Sequence, residues 1–265
     1  MWIDTHCHLD ASEFAGEHVD VAVRAGQQGV SMIVIPAVAT SNFATVKTLA
    51  HGAGNCCYAL GIHPIFVPAA EENDLDLLRT TVSEAMTDPR FVAIGEIGLD
   101  FFIPGLGTGE LREKQERFYS GQLKIARDFG LPVLLHVRRS QDMILKYLRR
   151  IDVAGGIAHA YNGSFQQAEE FIRRGFMLGF GGAMTFTRAL QIRRLATELP
   201  ETALVLETDA PDISPAWVHP GRNSPEQLPQ IGQVLAELRG MSESDIAYQT
   251  SANARSVLPR LTVLV

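Results

Sequence analysis

Eight short apolar, β-branched runs recur along the chain, at residues 1–5, 31–36, 56–62, 91–95, 131–135, 155–158, 176–180 and 203–208. Between them lie segments of helical periodicity at 17–28, 43–51, 75–87, 111–129, 141–150, 165–174 and 189–199, and two more follow at 224–239 and 242–258. Apolar strand runs that alternate with helical segments are the signature of βα units built around a parallel sheet buried on both faces. Eight such units over 265 residues have the number and length of a closed (β/α)8 TIM barrel, which typically takes about 250 residues. An open doubly wound sheet would carry a glycine-rich phosphate turn after its first strand. Here that strand ends in Thr5-His6-Cys7-His8. No low-complexity linker or charge block interrupts the alternation, so residues 1–265 are expected to form one domain.

Charge limits the partners. Lys and Arg number 23 against 30 Asp and Glu, a net charge of −7. A protein that holds duplex DNA by neutralising phosphates needs clustered cations, so any nucleic acid bound here must be gripped at a small local site. The cysteines Cys7, Cys56 and Cys57 have neither zinc-knuckle nor disulfide-framework spacing. The first residues lack a basic stretch followed by an apolar one, and no apolar run reaches the ~18 residues of a membrane span. A cytoplasmic protein without a membrane partner is expected.

A TIM barrel keeps its chemistry at the C-terminal ends of its strands, and there the sequence is most informative. Strand one delivers His6 and His8, strand three His63, strand four Glu96, strand five His136, strand six His159 and strand eight Asp209. Five of the chain's 8 histidines thus meet two carboxylates at one mouth. His6 and His8 are two apart, so on an extended strand end both rings face one side and Cys7 faces the other. Imidazoles with carboxylates suit Zn, Mn, Fe or, less well, Mg, and the absence of thiolates argues against a structural zinc.

His6, His8, Glu96, His136, His159 and Asp209 are too many ligands for one tetrahedral ion with an open position. Two divalent ions fit better. The simplest division gives one ion His6, His8 and Asp209 and the other His136 and His159, with Glu96 bridging. Such a pair activates water and stabilises the leaving oxygen, and Asp209 is placed to act as general base. Several barrel hydrolases bridge their ions with a carboxylated lysine at a strand end, but Lys47, Lys114, Lys124 and Lys146 all fall in expected helices. Glu96 therefore takes that role. Arg138 and Arg222-Asn223 lie near the same mouth, guanidinium forks match phosphate oxygens, and His63 can donate to the same group. Glu207 and Asp100 read as orienting partners of the ligands.

Six motifs occur in order: Ile3-Asp4-Thr5-His6-Cys7-His8-Leu9-Asp10, Gly61-Ile62-His63-Pro64, Gly95-Glu96-Ile97-Gly98-Leu99-Asp100, His136-Val137-Arg138, Glu207-Thr208-Asp209-Ala210-Pro211 and Arg222-Asn223-Ser224-Pro225. Over nearly the whole chain they resemble the TatD-type deoxyribonucleases, a family of amidohydrolase-like metal-dependent hydrolases. The resemblance implies two divalent ions (Zn, Mn or Mg) on those six ligands, with His63, Arg138, Arg222 and Asn223 at the substrate phosphate. It implies hydrolysis of DNA phosphodiester bonds by a metal-activated water, expected at the 3′ end of a single strand because a closed mouth admits a chain terminus. No obligate protein partner is implied. The other reading is hydrolysis of a carbonyl ester, amide or lactone, such as an aminoacyl ester on tRNA, since binuclear sites attack carbon and phosphorus alike. Two departures bear on substrate. Residues 159–163 read His-Ala-Tyr-Asn-Gly where the family often has His-Cys-Phe-Ser/Thr-Gly, and Gly221 stands where a lysine often precedes the arginine.

Overall fold

A computed structural model of the chain describes residues 1–263. Eight parallel strands neighbour one another in sequence order: β1 (Trp2–Asp4), β2 (Val30–Pro36), β3 (Cys56–Leu60), β4 (Phe91–Asp100), β5 (Val133–Arg138), β6 (Gly156–Ala158), β7 (Phe176–Phe180) and β8 (Leu204–Leu206). Helices α1 (His18–Gln27), α2 (Phe43–Gly52), α3 (Asp74–Ala85), α4 (Gly109–Phe129), α5 (Gln141–Leu148), α6 (Phe165–Arg173) and α7 (Leu190–Glu198) lie between consecutive strands. After β8 come α8 (Leu228–Arg239) and α9 (Glu243–Val257). This is the TIM barrel expected from the alternation. The four lysines fall in α2, α4 and α5.

The pleat divides the core in two. Along β2, Met32 and Val34 join Ile3, Cys57, Ala59, Leu134, Ile157 and Val205 in an inner cluster. Ile33 and Ile35 belong to the larger cluster formed with the surrounding helices. Ala254, Val257, Leu258 and Leu261 join the inner cluster, so α9 and the turn after it supply part of its packing.

β1 and β8 are sewn together mainly by loop and side-chain bonds. Thr5 N–H donates to Leu206 O at 3.1 Å, Asp209 N–H to His6 O at 2.8 Å and His8 N–H to Ala210 O at 2.8 Å. Thr208 Oγ1 donates to Asp4 Oδ2 at 2.6 Å, and its N–H to Asp4 Oδ1 at 2.9 Å. Asp4 is buried, and burial raises its carboxyl to about 7 against the opposing pull of these bonds.

Two strands run further than their apolar runs indicated. β4 continues past residue 95 by pairing Ile97, Gly98, Leu99 and Asp100 with Leu135, His136, Val137 and Arg138. Glu96, Asp100, His136 and Arg138 therefore project from strands and not from loops, which fixes them more firmly. Gly98 sits where a Cβ would collide with the His136 backbone, 2.9 Å from its carbonyl carbon, and its φ of 147° lies in the region side chains avoid. The glycine lets β4 lie tight against the strand that carries His136. The turn at residues 162–164 is a helix start, because Ser164 Oγ accepts from Gln167 N–H at 3.2 Å and caps α6.

Candidate metal centre

Five imidazoles surround one carboxylate at the C-terminal mouth. Glu96 Oε2 lies 3.2 Å from His6 Nε2 and 3.2 Å from His8 Nε2. Its Oε1 lies 2.9 Å from His159 Nε2, 3.0 Å from His136 Nδ1 and 3.3 Å from His63 Nε2. Asp209 Oδ1 completes the first side, 3.7 Å from His6 Nε2 and 3.8 Å from His8 Nε2. Glu96 thus faces histidine nitrogens with each oxygen, His6 and His8 with Oε2 and His159, His136 and His63 with Oε1.

The donor spacing can be tested against a cation. Bonds of about 2.1 Å in a tetrahedral site place neighbouring donor atoms about 3.4 Å apart. On the first side His6 Nε2 and His8 Nε2 are 3.3 Å apart, and with the carboxylate contacts the separations run from 3.2 to 3.8 Å. On the second side His159 Nε2 and His136 Nδ1 are 3.5 Å apart. Both groups match the spacing, and nitrogen–carboxylate sets of this kind suit divalent ions.

His63 lies within the same distances, and His63, Glu96 and His136 form a compact trio. Its hydrogen bonding gives it a different function. The backbone N–H of Ile65 donates to His63 Nδ1 at 3.1 Å, so the neutral ring carries its proton on Nε2. That nitrogen is then a donor aimed at Glu96 Oε1 and the mouth, and it has no lone pair to offer a metal.

A bound cation needs neutral imidazoles and ionised carboxylates, and burial and mutual charge divide the groups of the cluster between the two directions. Burial, with repulsion from His159, lowers His6 to about 3. Burial also lowers His63 to about 4. Burial opposes the charge of Glu96, but the surrounding imidazoles outweigh it and hold the carboxyl well below its ordinary value. Asp209 is raised to about 6 by burial against the pull of His159 and His8. The other three imidazoles move the other way, because carboxylates outweigh the effect of burial: Glu96 raises His8 to about 9, Asp100 and Glu96 raise His136, and Glu96 with Asp209 holds His159 well above its ordinary value.

A second layer fixes the ligands. Asp100 Oδ2 lies 3.0 Å from His136 Nε2, while its other oxygen accepts from the N–H groups of Phe102 and Ile103 at 2.8 and 3.1 Å. Glu207 Oε1 lies 3.7 Å from His159 Nδ1 and accepts from Ala160 N–H at 2.5 Å. Glu207 Oε2 and His159 Nδ1 are buried without a hydrogen-bond partner among the described residues. The seat of Glu207 exists because residue 179 has no side chain: a Cβ there would land on Oε2 and 2.6 Å from Cδ.

The cluster forms the floor of a cavity of about 1130 Å3. Arg138 reaches its wall, with Nη1 3.8 Å from Asp100 Oδ2. Phe102 also lines it, unlike Phe101, which packs under Arg112, and Trp217, whose Nε1 donates to Gln227. Two expected anchors are not in the lining. Asn223 is fully buried, and its Nδ2 donates to Thr208 O and Asp212 O at 2.8 Å each. Its amide fixes the path of the loop after β8 and is not free to meet a phosphate. Arg222 turns outward, where Nη1 donates to Glu17 Oε1 at 2.7 Å and Glu13 O at 2.6 Å. Sequence reasoning missed Arg139, which lines the cavity beside Arg138. A second cation next to the strand-five motif was the only available signal.

A TIM barrel with this constellation at its C-terminal mouth defines a metal-dependent hydrolase. The chain belongs to the family of TatD related DNases, whose pattern matches residues 3–259. It is 38% identical over 247 residues to the uncharacterized metal-dependent hydrolase YjjV of Escherichia coli K12, covering 93% of each chain. It is 29% identical over 268 residues to human deoxyribonuclease TATDN3, covering 99% of this chain and 96% of that one. The crystal structure of YjjV, a TatD homologue, superimposes with a TM-score of 0.91 at 37% identity and covers 97% of this chain and 98% of that chain. No helix of the described residues is long and apolar enough to cross a membrane.

Proposed function

We propose that this protein is a divalent-metal-dependent nuclease that hydrolyses phosphodiester bonds at the 3′ end of single-stranded DNA. The observation that carries the reading is the Glu96 carboxylate, each oxygen of which faces its own donor group at the foot of a cavity that Arg138 also lines. We assign His6, His8 and Asp209 to one ion and His136 and His159 to the other, with Glu96 shared; the metal is Zn, Mn or Mg. When bound, two such ions supply Lewis acidity at the scissile phosphorus and lower the pKa of an attacking water.

The chain's own groups do the rest. Asp209 accepts the proton of the attacking water, and its backbone sits in the left-handed region, φ 56°, a strained geometry of the kind that accompanies functional sites. Arg138 grips a non-bridging phosphate oxygen, and His63 donates its Nε2 proton to the same group. A site at the mouth of a closed barrel supports an end-on substrate. We further propose that residues 1–265 act as one domain in the cytoplasm, a reading that the free buried thiols Cys7, Cys56 and Cys57 support.

One observation favours a second substrate class. Asp10, Glu13 and Asp212 also line the cavity, and an acidic wall would suit the ammonium group of an aminoacyl ester on tRNA. The experiment is a paired assay on metal-reconstituted protein: release of mononucleotides from labelled single-stranded DNA, and hydrolysis of an aminoacyl ester, each with Glu96→Ala as control. DNA cleavage that is lost in the variant supports the nuclease. Ester hydrolysis alone, also lost in the variant, replaces it with the second reading.

A further inference from the structure

The mouth is electrically lopsided. Its acidic lining, Asp10, Glu13 and Asp212, comes from the segments that follow β1 and β8, whereas Arg138 and Arg139 lie at the end of β5. The two guanidinium carbons approach the ring centroid of Phe102, which follows β4, to 3.9 and 4.6 Å. Successive residues of an extended strand point to opposite faces, so two neighbouring arginines would ordinarily diverge. Arg139 instead has a left-handed backbone, φ 55°, and both side chains reach the same ring. A non-glycine residue in that region is strained.

Placing two guanidiniums together is also unfavourable unless negative charge offsets it. Arg138 has a partial partner in Asp100 at 3.8 Å. Arg139 forms no ion pair with any described residue and is exposed to solvent. The Phe102 ring face supplies some attraction, but the rim keeps an excess of positive charge next to the candidate metal centre.

We infer that Arg139, held beside Arg138 on Phe102, is a second anion site of the mouth. It takes a phosphate other than the one being cleaved, so that the strand leaves over the β4–β5 rim and away from Asp10, Glu13 and Asp212. This rests on the nuclease reading and adds a path and a minimum length to it: substrates with at least two phosphates use Arg139, and a substrate with one does not. Arg138 serves the reacting phosphate, and Arg139 sets preference for chain over monomer.

The test compares two substrates, the p-nitrophenyl ester of thymidine 5′-phosphate, with one phosphate, and single-stranded oligothymidylates of three to eight nucleotides, with two or more. Arg139→Ala and Arg139→Gln should lower kcat/KM on the oligonucleotides about tenfold, through KM, and leave the single-phosphate diester unchanged. Arg139→Lys should recover part of the loss, and Asp212→Asn should leave oligonucleotide KM equal or lower. Equal losses on both substrates, or no loss on either, would overturn the assignment. Binding of a fluorescent oligothymidylate to Asp209→Asn protein gives a readout that does not depend on turnover. There Arg139→Ala should reduce the slope of log affinity against log salt by roughly one, and an unchanged slope also overturns it. Loss of the nuclease reading shows separately, as wild-type protein with bound metal that cleaves neither substrate.

Discussion

Gly179→Ala tests whether the Glu207 carboxylate is held where the structure has it. The backbone of Gly179 lies outside the left-handed region, so alanine suits it conformationally and would on that ground alone stabilise by about 0.4–1 kcal/mol. Space decides the sign. The new Cβ would fall on Glu207 Oε2, 2.6 Å from Cδ and 2.9 Å from Oε1. Overpacking a rigid site costs about 1–3 kcal/mol. If the carboxylate moves to relieve it, the bond from Ala160 N–H to Oε1 is lost, at about 1.5–3 kcal/mol for a charged acceptor. Movement trades one cost for part of the other, so the net expectation is a loss of about 2–4 kcal/mol. At about 2–4 °C per kcal/mol for a chain of this size, Tm should fall by roughly 4–16 °C. Urea titrations of the wild type, Gly179→Ala, Glu207→Ala and the double variant complete the cycle. With the carboxylate gone, the added methyl group has room, and a coupling of about 1–2 kcal/mol is expected. A Gly179→Ala protein within about 0.5 kcal/mol of wild type, or one equally destabilised in both backgrounds, would refute the reasoning.

Other expectations follow from the same geometry. Asn223→Ala should cost about 1–3 kcal/mol in a denaturant titration, because the carbonyls of Thr208 and Asp212 lose a buried donor; a change in substrate KM at unaltered stability would instead return Asn223 to the substrate. Arg222→Ala should change kcat and KM on single-stranded DNA less than twofold, because its guanidinium pairs with exposed Glu17 and such pairs contribute little; a large rise in KM would refute its outward placement. Asp209→Asn should fold with near-native circular dichroism and lose at least 100-fold in kcat, on the order expected for removing an acid–base group; retained turnover would remove the base assignment. Dialysis against a chelator should lower Tm, and stoichiometric Zn or Mn should restore it, by the linkage of binding to folding; the same treatment of Glu96→Ala should leave Tm unmoved.

The alternation of runs made the barrel legible, because a strand covered on both faces and a helix with one apolar stripe leave different periods in the sequence. The limits of β4 and β5 were not legible. A reading that ends a strand at its first charged residue stops at Gly95 and Leu135, yet at the mouth Glu96, Asp100 and His136 satisfy one another and the ladder continues. The metal-ligand candidates could be located because each immediately follows an apolar run or lies within one turn of it. The loop between β8 and α8 offers no such period. Whether Arg222 turns toward the cavity or toward Glu17 depends on the buried amide of Asn223, and only tertiary structure shows that. The left-handed backbone of Arg139 is invisible for the same reason: arginine carries no local preference for it.

The seam between β1 and β8 has a consequence for the timing of activity. His6 and His8 enter the chain some two hundred residues before Asp209, and the bonds that bring them together, Asp209 N–H to His6 O and His8 N–H to Ala210 O, form only when the eighth strand docks on the first. A polypeptide still emerging from the ribosome, or one cut between β7 and β8, holds five of the six candidate ligands and lacks the expected base. On the proposed assignment, hydrolysis therefore waits for the eighth strand, and the completion of the fold is what brings the base to the site.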